Sequence, residues 1–173
     1  MKNILFVCEA NLFRSYASER ITNNISKYLI ADSAGTNAMT ELKASDYFLT
    51  ALQELGYETP EHTAKPISPK LLEQQDLILC MEKPQISKIL KVLPGIENKI
   101  HTLPSYVGFP DKQIIDIAYF FLSKGFSIFT GGFITDKNGE NIPNPNEQQT
   151  INVYKDFIKE IETYVELVVE KII

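Results

Sequence analysis

Hydrophobic positions along this chain fall into short unbroken runs separated by stripes of helical spacing. Residues 4–7 read Ile-Leu-Phe-Val, a β-prone run that predicts a strand buried on both faces of a parallel sheet. Ala17, Ile21, Ile25 and Tyr28 then recur at helical intervals, so a helix is predicted over 15–28, starting just past Arg14. A second strand is predicted at 29–33, running into Asp-Ser-Ala-Gly-Thr, where Gly35 is expected to supply a tight turn. The pattern over 45–55 predicts a helix stopped by Gly56. The apolar run repeats at 76–81, and 99–103 gives a weaker fourth strand. Ile151, Tyr154, Ile158, Ile161, Val165 and Val168 share one stripe, which predicts a long packed helix over 147–173. Strands alternating with helices predict an α/β fold: one domain, 1–173, with a parallel four-stranded sheet flanked by helices on both faces.

One stretch fits this alternation poorly. Residues 109–141 read as an insert, too apolar for a disordered linker and expected to fold onto the body. Near its end, Asn138 and Gly139 are expected to supply the positive-φ positions of a turn.

Composition narrows the function classes. A length of 173 residues, 44 % hydrophobic and 23 % charged, suits one soluble domain. No apolar run is long enough to span a bilayer, and the N-terminus lacks the pattern of a secretory signal, so a cytoplasmic protein without a membrane partner is expected. A net charge of −5 with scattered Lys and Arg disfavours nucleic acid as a partner. The two cysteines, Cys8 and Cys80, make neither a disulfide framework nor a zinc site. No metal or cofactor is expected.

Cys8 closes the first strand, and Arg14 stands where the next helix begins. The six residues after Cys8, namely Glu9, Ala10, Asn11, Leu12, Phe13 and Arg14, form a loop whose backbone N–H groups can converge on one point. Together with the positive end of a helix they make a cradle for a phosphate. The planar fork of Arg14 can hold two phosphate oxygens. Cysteines in such settings titrate at about 3.5 to 7.5, so Cys8 is a candidate nucleophile that forms a phosphocysteine later hydrolysed by water. Loop amides and Arg14 then stabilise the equatorial oxygens, and Ser15 donates to the departing sulfur. The plainer alternative is a small buried cysteine at a strand end with no chemistry at all.

The stretch Val-Cys-Glu-Ala-Asn-Leu-Phe-Arg-Ser resembles the signature V-C-x-G-N-x-C-R-S-P of the low-molecular-weight protein tyrosine phosphatases. The resemblance continues through Asp-Ser-Ala-Gly-Thr at 32–36, His-Thr-Ala-Lys-Pro-Ile at 62–67 and Asp-Leu-Ile-Leu-Cys-Met-Glu-Lys at 76–83, and it resumes at Ile-Pro-Asn-Pro-Asn and the final helix. It implies a left-handed Asn11 supported by Ser15, Ser33 and His62. It also implies a substrate that is a phosphorylated protein or a small phosphomonoester. Several positions depart from the pattern. Ala10 replaces the loop Gly, Phe13 the second Cys and Tyr16 the Pro. The family's general acid lies in D-P-[YF] before the last helix; against it this chain reads Asn-Pro-Asn, which places Asn144 at the acid position. Met39 and Asn146 fall near the positions that usually wall the phosphotyrosine slot. Asp111, Asp116, Asp136 and Glu140 are the carboxylates of the insert that could replace the acid. Asp136 ranks first among them, although a role in its own turn outweighs that reading. Tyr119, Phe120, Phe121, Phe126, Phe129 and Phe133 offer either a new wall or the insert's own packing.

Three functions compete at this level. The first is a cysteine-dependent phosphomonoesterase. The second is an impaired relative that binds phosphorylated ligands without turnover, as Asn144 suggests. The third is an arsenate reductase, disfavoured because Cys80 lies in a buried strand and no further cysteine follows.

Overall fold

The computed structural model describes residues 1–127 and 135–173. Four strands form one parallel sheet: β1 (Lys2–Cys8), β2 (Leu29–Gly35), β3 (Leu77–Cys80) and β4 (Ile100–Thr102), in the order β2-β1-β3-β4. Cys8 pairs with Gly35, and Val7 with Cys80. The ends of three strands therefore meet at one edge.

Period-two alternation along β1 divides the core. Ile4 and Phe6 face a layer built from α1 (Arg14–Ile25), α2 (Asp46–Glu54), α6 (Ile117–Ser123) and α7 (Glu147–Ile172). Leu5 and Val7 face the other layer, where Leu72 of α3 (Pro69–Glu73) and Ile89 of α4 (Lys83–Val92) pack. A short helix α5 (Leu103–Tyr106) follows β4. The predicted stripe of α7 is buried throughout, at Ile151, Tyr154, Ile158, Ile161, Val165 and Val168. Among the described residues, no helix is long and apolar enough to cross a membrane.

Several details differ from the pattern-based reading. The first helix ends at Ile25, three residues early, and the exposed Tyr28 leads into β2. The short helices α3 to α6 were not predicted. All four have start signals: Ser68 accepts from Leu71 N–H ahead of Pro69, Glu82 and Gln85 form a capping box, Thr102 accepts from Ser105 N–H, and Asp116 accepts from Ala118 N–H. Gly35 makes no special turn. A Cβ there would lie 2.5 Å from the Glu9 carbonyl oxygen and 2.9 Å from the Asn11 nitrogen, so glycine is needed for the close approach of β2 to the loop after Cys8. In the 136–140 turn only Gly139 has positive φ. The described part of the insert packs onto the body through Ile114, Ile117, Phe120 and Phe121. Phe126 packs beside them and Tyr119 is exposed. Phe129 and Phe133 lie outside the described residues.

Candidate active site

The loop after β1 is held in a strained shape by a closed polar network. Asn11 has φ 58°, a left-handed conformation that L side chains adopt at a cost of about 1–2 kcal/mol. The fully buried Asn11 side chain repays this with hydrogen bonds on every side. Its Nδ2 donates to Ser15 Oγ (3.0 Å) and Ser33 Oγ (2.9 Å), and its Oδ1 accepts from Lys65 N–H (2.8 Å). Ser33 passes its own hydroxyl hydrogen to Glu19 Oε2 at 2.6 Å. The Asn11 carbonyl lies 2.8 Å from His62 Nε2.

The network ends on the sulfur. Cys8 Sγ accepts from Asn11 N–H at 3.2 Å and lies 3.1 Å from Ser15 Oγ. Ser15 Oγ receives a hydrogen from Asn11 and stands within hydrogen-bonding distance of the sulfur, where either atom can donate. Cys8 is 3 % exposed, at the floor of a cavity of about 30 Å³ lined by Ala10, Leu12, Phe13, Arg14, Asp116 and Ile117.

Arg14, the first residue of α1, is buried and held by two acids. Nη1 donates to Glu82 Oε2 (2.6 Å) and to the Ile114 carbonyl (3.0 Å), and Nη2 donates to Asp116 Oδ2 (3.0 Å). A buried guanidinium stripped of water requires such partners. Asp116 also caps α6, its Oδ1 accepting from Ala118 N–H at 3.1 Å. The acids make this end of the molecule less positive than the loop and helix end alone suggest.

Cys8, Asn11, Ser15, Ser33 and His62 are thus joined in one network, and Arg14 lines the same cavity as Cys8. Glu9 points out to Lys88 (2.9 Å). Asn144 is exposed and does not line the cavity, and Asn146 caps α7. Met39 is exposed and does not line the cavity. Asp136 is also elsewhere. Its Oδ1 accepts the N–H groups of Asn138 and Glu140 within its own turn, and these bonds hold its carboxyl below the usual range. A proton donor needs the opposite shift. Asp111 and Glu140 are exposed and do not line the cavity either. The carboxylate at the cavity is Asp116, which the sequence reading ranked below Asp136. Glu82 and Glu19 were missed. Glu19 lies one helical turn after Ser15, and Glu82 follows the third apolar run, so both had a positional signal. Among the described residues no group of acids, histidines and cysteines forms a metal site.

The family profile of low molecular weight phosphotyrosine protein phosphatases matches residues 3–120. This chain belongs to that family. The match includes Asp116 and runs through the first part of the stretch read as an insert. A low molecular weight protein-tyrosine-phosphatase of Acinetobacter johnsonii is 32 % identical over 121 residues, covering 69 % of this chain and 85 % of the relative. The solved low molecular weight protein tyrosine phosphatase of T. tengcongensis superposes with TM-score 0.75 at 26 % identity, covering 99 % of both chains. The YwlE arginine phosphatase of Geobacillus stearothermophilus shares the fold, with TM-score 0.74 and 24 % identity over 99 % of this chain and 93 % of that one. Family and fold together support a phosphatase.

Proposed function

We propose that this chain hydrolyses phosphomonoesters, with phosphotyrosine in a protein as the favoured substrate, through a phosphocysteine on Cys8 and with Asp116 as the proton donor. The observation that carries this reading is a sulfur that accepts from Asn11 N–H, lies 3.1 Å from Ser15 Oγ, and lines the same cavity as Arg14 and Asp116. The apolar lining of Leu12, Phe13 and Ile117 favours a flat apolar leaving group over a charged one.

In the first step Cys8 Sγ bonds to phosphorus, the phosphorus–oxygen bond to the leaving group breaks, and Asp116 gives that oxygen its proton. In the second step water attacks phosphorus and its proton passes to the Asp116 carboxylate. The phosphorus–sulfur bond breaks, and sulfur leaves as a thiolate stabilised by Ser15 O–H and Asn11 N–H. Arg14 carries charge on the equatorial oxygens throughout.

Before that, the substrate must make room. A cavity of about 30 Å³ admits a water or two, not a four-oxygen anion. One arm of Arg14 is also taken by Asp116. The incoming phosphate takes that arm, and Asp116 turns to the leaving oxygen. The binding-module alternative draws its motive from Asn144, whereas Asp116 at the cavity supports the reading as an enzyme. A thiol relay for arsenate draws no support from Cys80, which faces the opposite core layer.

The test is hydrolysis of para-nitrophenyl phosphate and a phosphotyrosine peptide by wild type, Cys8→Ser, Asp116→Asn and Asn144→Asp. Cys8→Ser should abolish both activities. Asp116→Asn should lower peptide turnover by about 10²- to 10⁴-fold and the activated ester far less. Asn144→Asp should change neither. A wild type inert on both substrates, or an Asp116→Asn variant with full peptide turnover, refutes the assignment.

A further inference from the structure

Tyr16 stands two residues after Arg14, where the family pattern carries proline. It is 1 % exposed, and its ring does more than fill space. It stacks on the His62 imidazole with centroids 3.9 Å apart and planes 14° from parallel. Its hydroxyl donates to the Pro60 carbonyl at 3.1 Å. Burial pushes the phenol's pKa up, which keeps that hydrogen in place.

His62 belongs to a stretch, 58–65, with no helix or strand of its own. The flat face of Tyr16 is therefore a main determinant of the plane in which the imidazole lies. That plane matters for the loop. A carbonyl only accepts, so the 2.8 Å contact with the Asn11 oxygen places the hydrogen on Nε2. Across a trans peptide the C=O and the next N–H point in opposite directions. Fixing the Asn11 carbonyl toward His62 therefore turns the Leu12 N–H away from His62, and Leu12 lines the cavity.

We infer that Tyr16 is a positioning residue for the phosphate loop. Its ring holds the His62 plane, His62 holds the Asn11 carbonyl, and this orients the 11–12 peptide so that the Leu12 N–H is presented to a bound oxyanion. The inference rests on the reading of the loop as a phosphate site.

The test compares alkylation of Cys8 by anionic iodoacetate and by neutral iodoacetamide, with protection by inorganic phosphate as a control. The ratio of the two rates reports how well the loop receives an anion, and a loss of global stability alone does not move it. Wild type should show a ratio well above that of free cysteine. Tyr16→Ala and His62→Ala should each lower it by about fivefold, and the double variant should go no lower, as for groups acting in series. Tyr16→Phe keeps the stacked ring and should stay within about twofold of wild type. Tyr16→Leu keeps apolar bulk without a flat face, so it serves if the alanine variant does not fold, and it should behave like alanine.

An unchanged ratio in Tyr16→Leu or Tyr16→Ala makes Tyr16 a core residue only and overturns the inference. So does a Tyr16→Phe variant as impaired as the alanine one, because the hydroxyl would then be the active part. A wild-type ratio no higher than that of free cysteine overturns the phosphate-site reading itself, and the brace with it. That outcome is distinct from a high ratio that Tyr16 does not control.

Discussion

The ends of β1 and β3 each carry a buried cysteine, and the two differ in every property that chemistry requires. Cys8 is the last residue of β1, where the chain leaves the sheet, and its sulfur meets a backbone N–H and a hydroxyl. Cys80 ends β3 one strand away, paired with Val7, and is packed with Leu5, Val7, Ala34 and Ile89 in the opposite core layer. Burial pushes the Cys80 thiol far up, with a smaller contribution from the nearby Cys8. Equal burial therefore yields one candidate nucleophile and one inert side chain. The deciding factor is what the sulfur finds when water is removed: donors that replace the water, or hydrocarbon that does not.

The sharpest way to break this comparison is to exchange the roles by mutation. Cys8→Ser should lower turnover of para-nitrophenyl phosphate by about 10⁴-fold or more while leaving the melting temperature near that of wild type. Cys80→Ala should do the reverse, keeping turnover and costing about 1–2 kcal/mol in a denaturant titration for the atom lost from the core. A Cys80→Ala variant with lost activity and intact stability would mean that the second sulfur takes part in the chemistry.

The next largest effect concerns the support behind Cys8. Gly35→Ala places a methyl 2.5 Å from the Glu9 carbonyl oxygen, and the loop backbone must move to accept it. Turnover should fall by about 10²-fold, as for an ångström-scale misplacement. The Cys80 side of the sheet should be unaffected, as read from protection of the β3 amides in hydrogen exchange.

A smaller effect is expected at Arg14. Asp116→Ser can still cap α6 but cannot reach the guanidinium, so inorganic phosphate no longer competes with a built-in carboxylate. Phosphate should bind about tenfold more tightly by calorimetry, and the gain should persist at about 0.5 M salt, where through-space repulsion is screened. A gain that disappears in salt would leave Asp116 acting only at a distance.

The smallest effect is one of pH. The folded pKa of Cys80 is raised above its unfolded value. Its contribution to stability is thus fully present below the unfolded pKa of about 8.5 and is lost as pH rises toward the folded value. Wild type should therefore lose stability between about pH 8.5 and 10.5 more steeply than Cys80→Ala, as measured by thermal melts across that range. Parallel slopes would remove Cys80 from the account.

The legibility of the site follows the same division. Cys8, Arg14 and the residues between them could be read because they are contiguous. A strand end, a short loop and a helix start produce an anion cradle from local geometry alone. Ser33 and His62 were reached only through family resemblance, since nothing local marks them. Asp116, the proposed acid, ranks below Asp136 in the sequence for a physical reason. It sits 102 residues from Arg14 and is followed by isoleucine rather than the expected proline. The Asn-Pro-Asn at 144–146 offers a closer local match, but Asn144 does not line the cavity. Met39 does not line the cavity either, because wall positions depend on how loops pack.

By itself the sequence determined the alternation of buried runs and helical stripes, and with it the parallel sheet, the long closing helix and the loop that joins Cys8 to Arg14. All of these depend on periodicity or on neighbours in the chain. Only the tertiary structure decided which acid meets Arg14, why Gly35 must lack a side chain, and that Tyr16 stacks on His62. Those contacts join residues tens of positions apart, and no residue type or spacing encodes them until the sheet edge, α6 and the 58–65 stretch are folded against one loop.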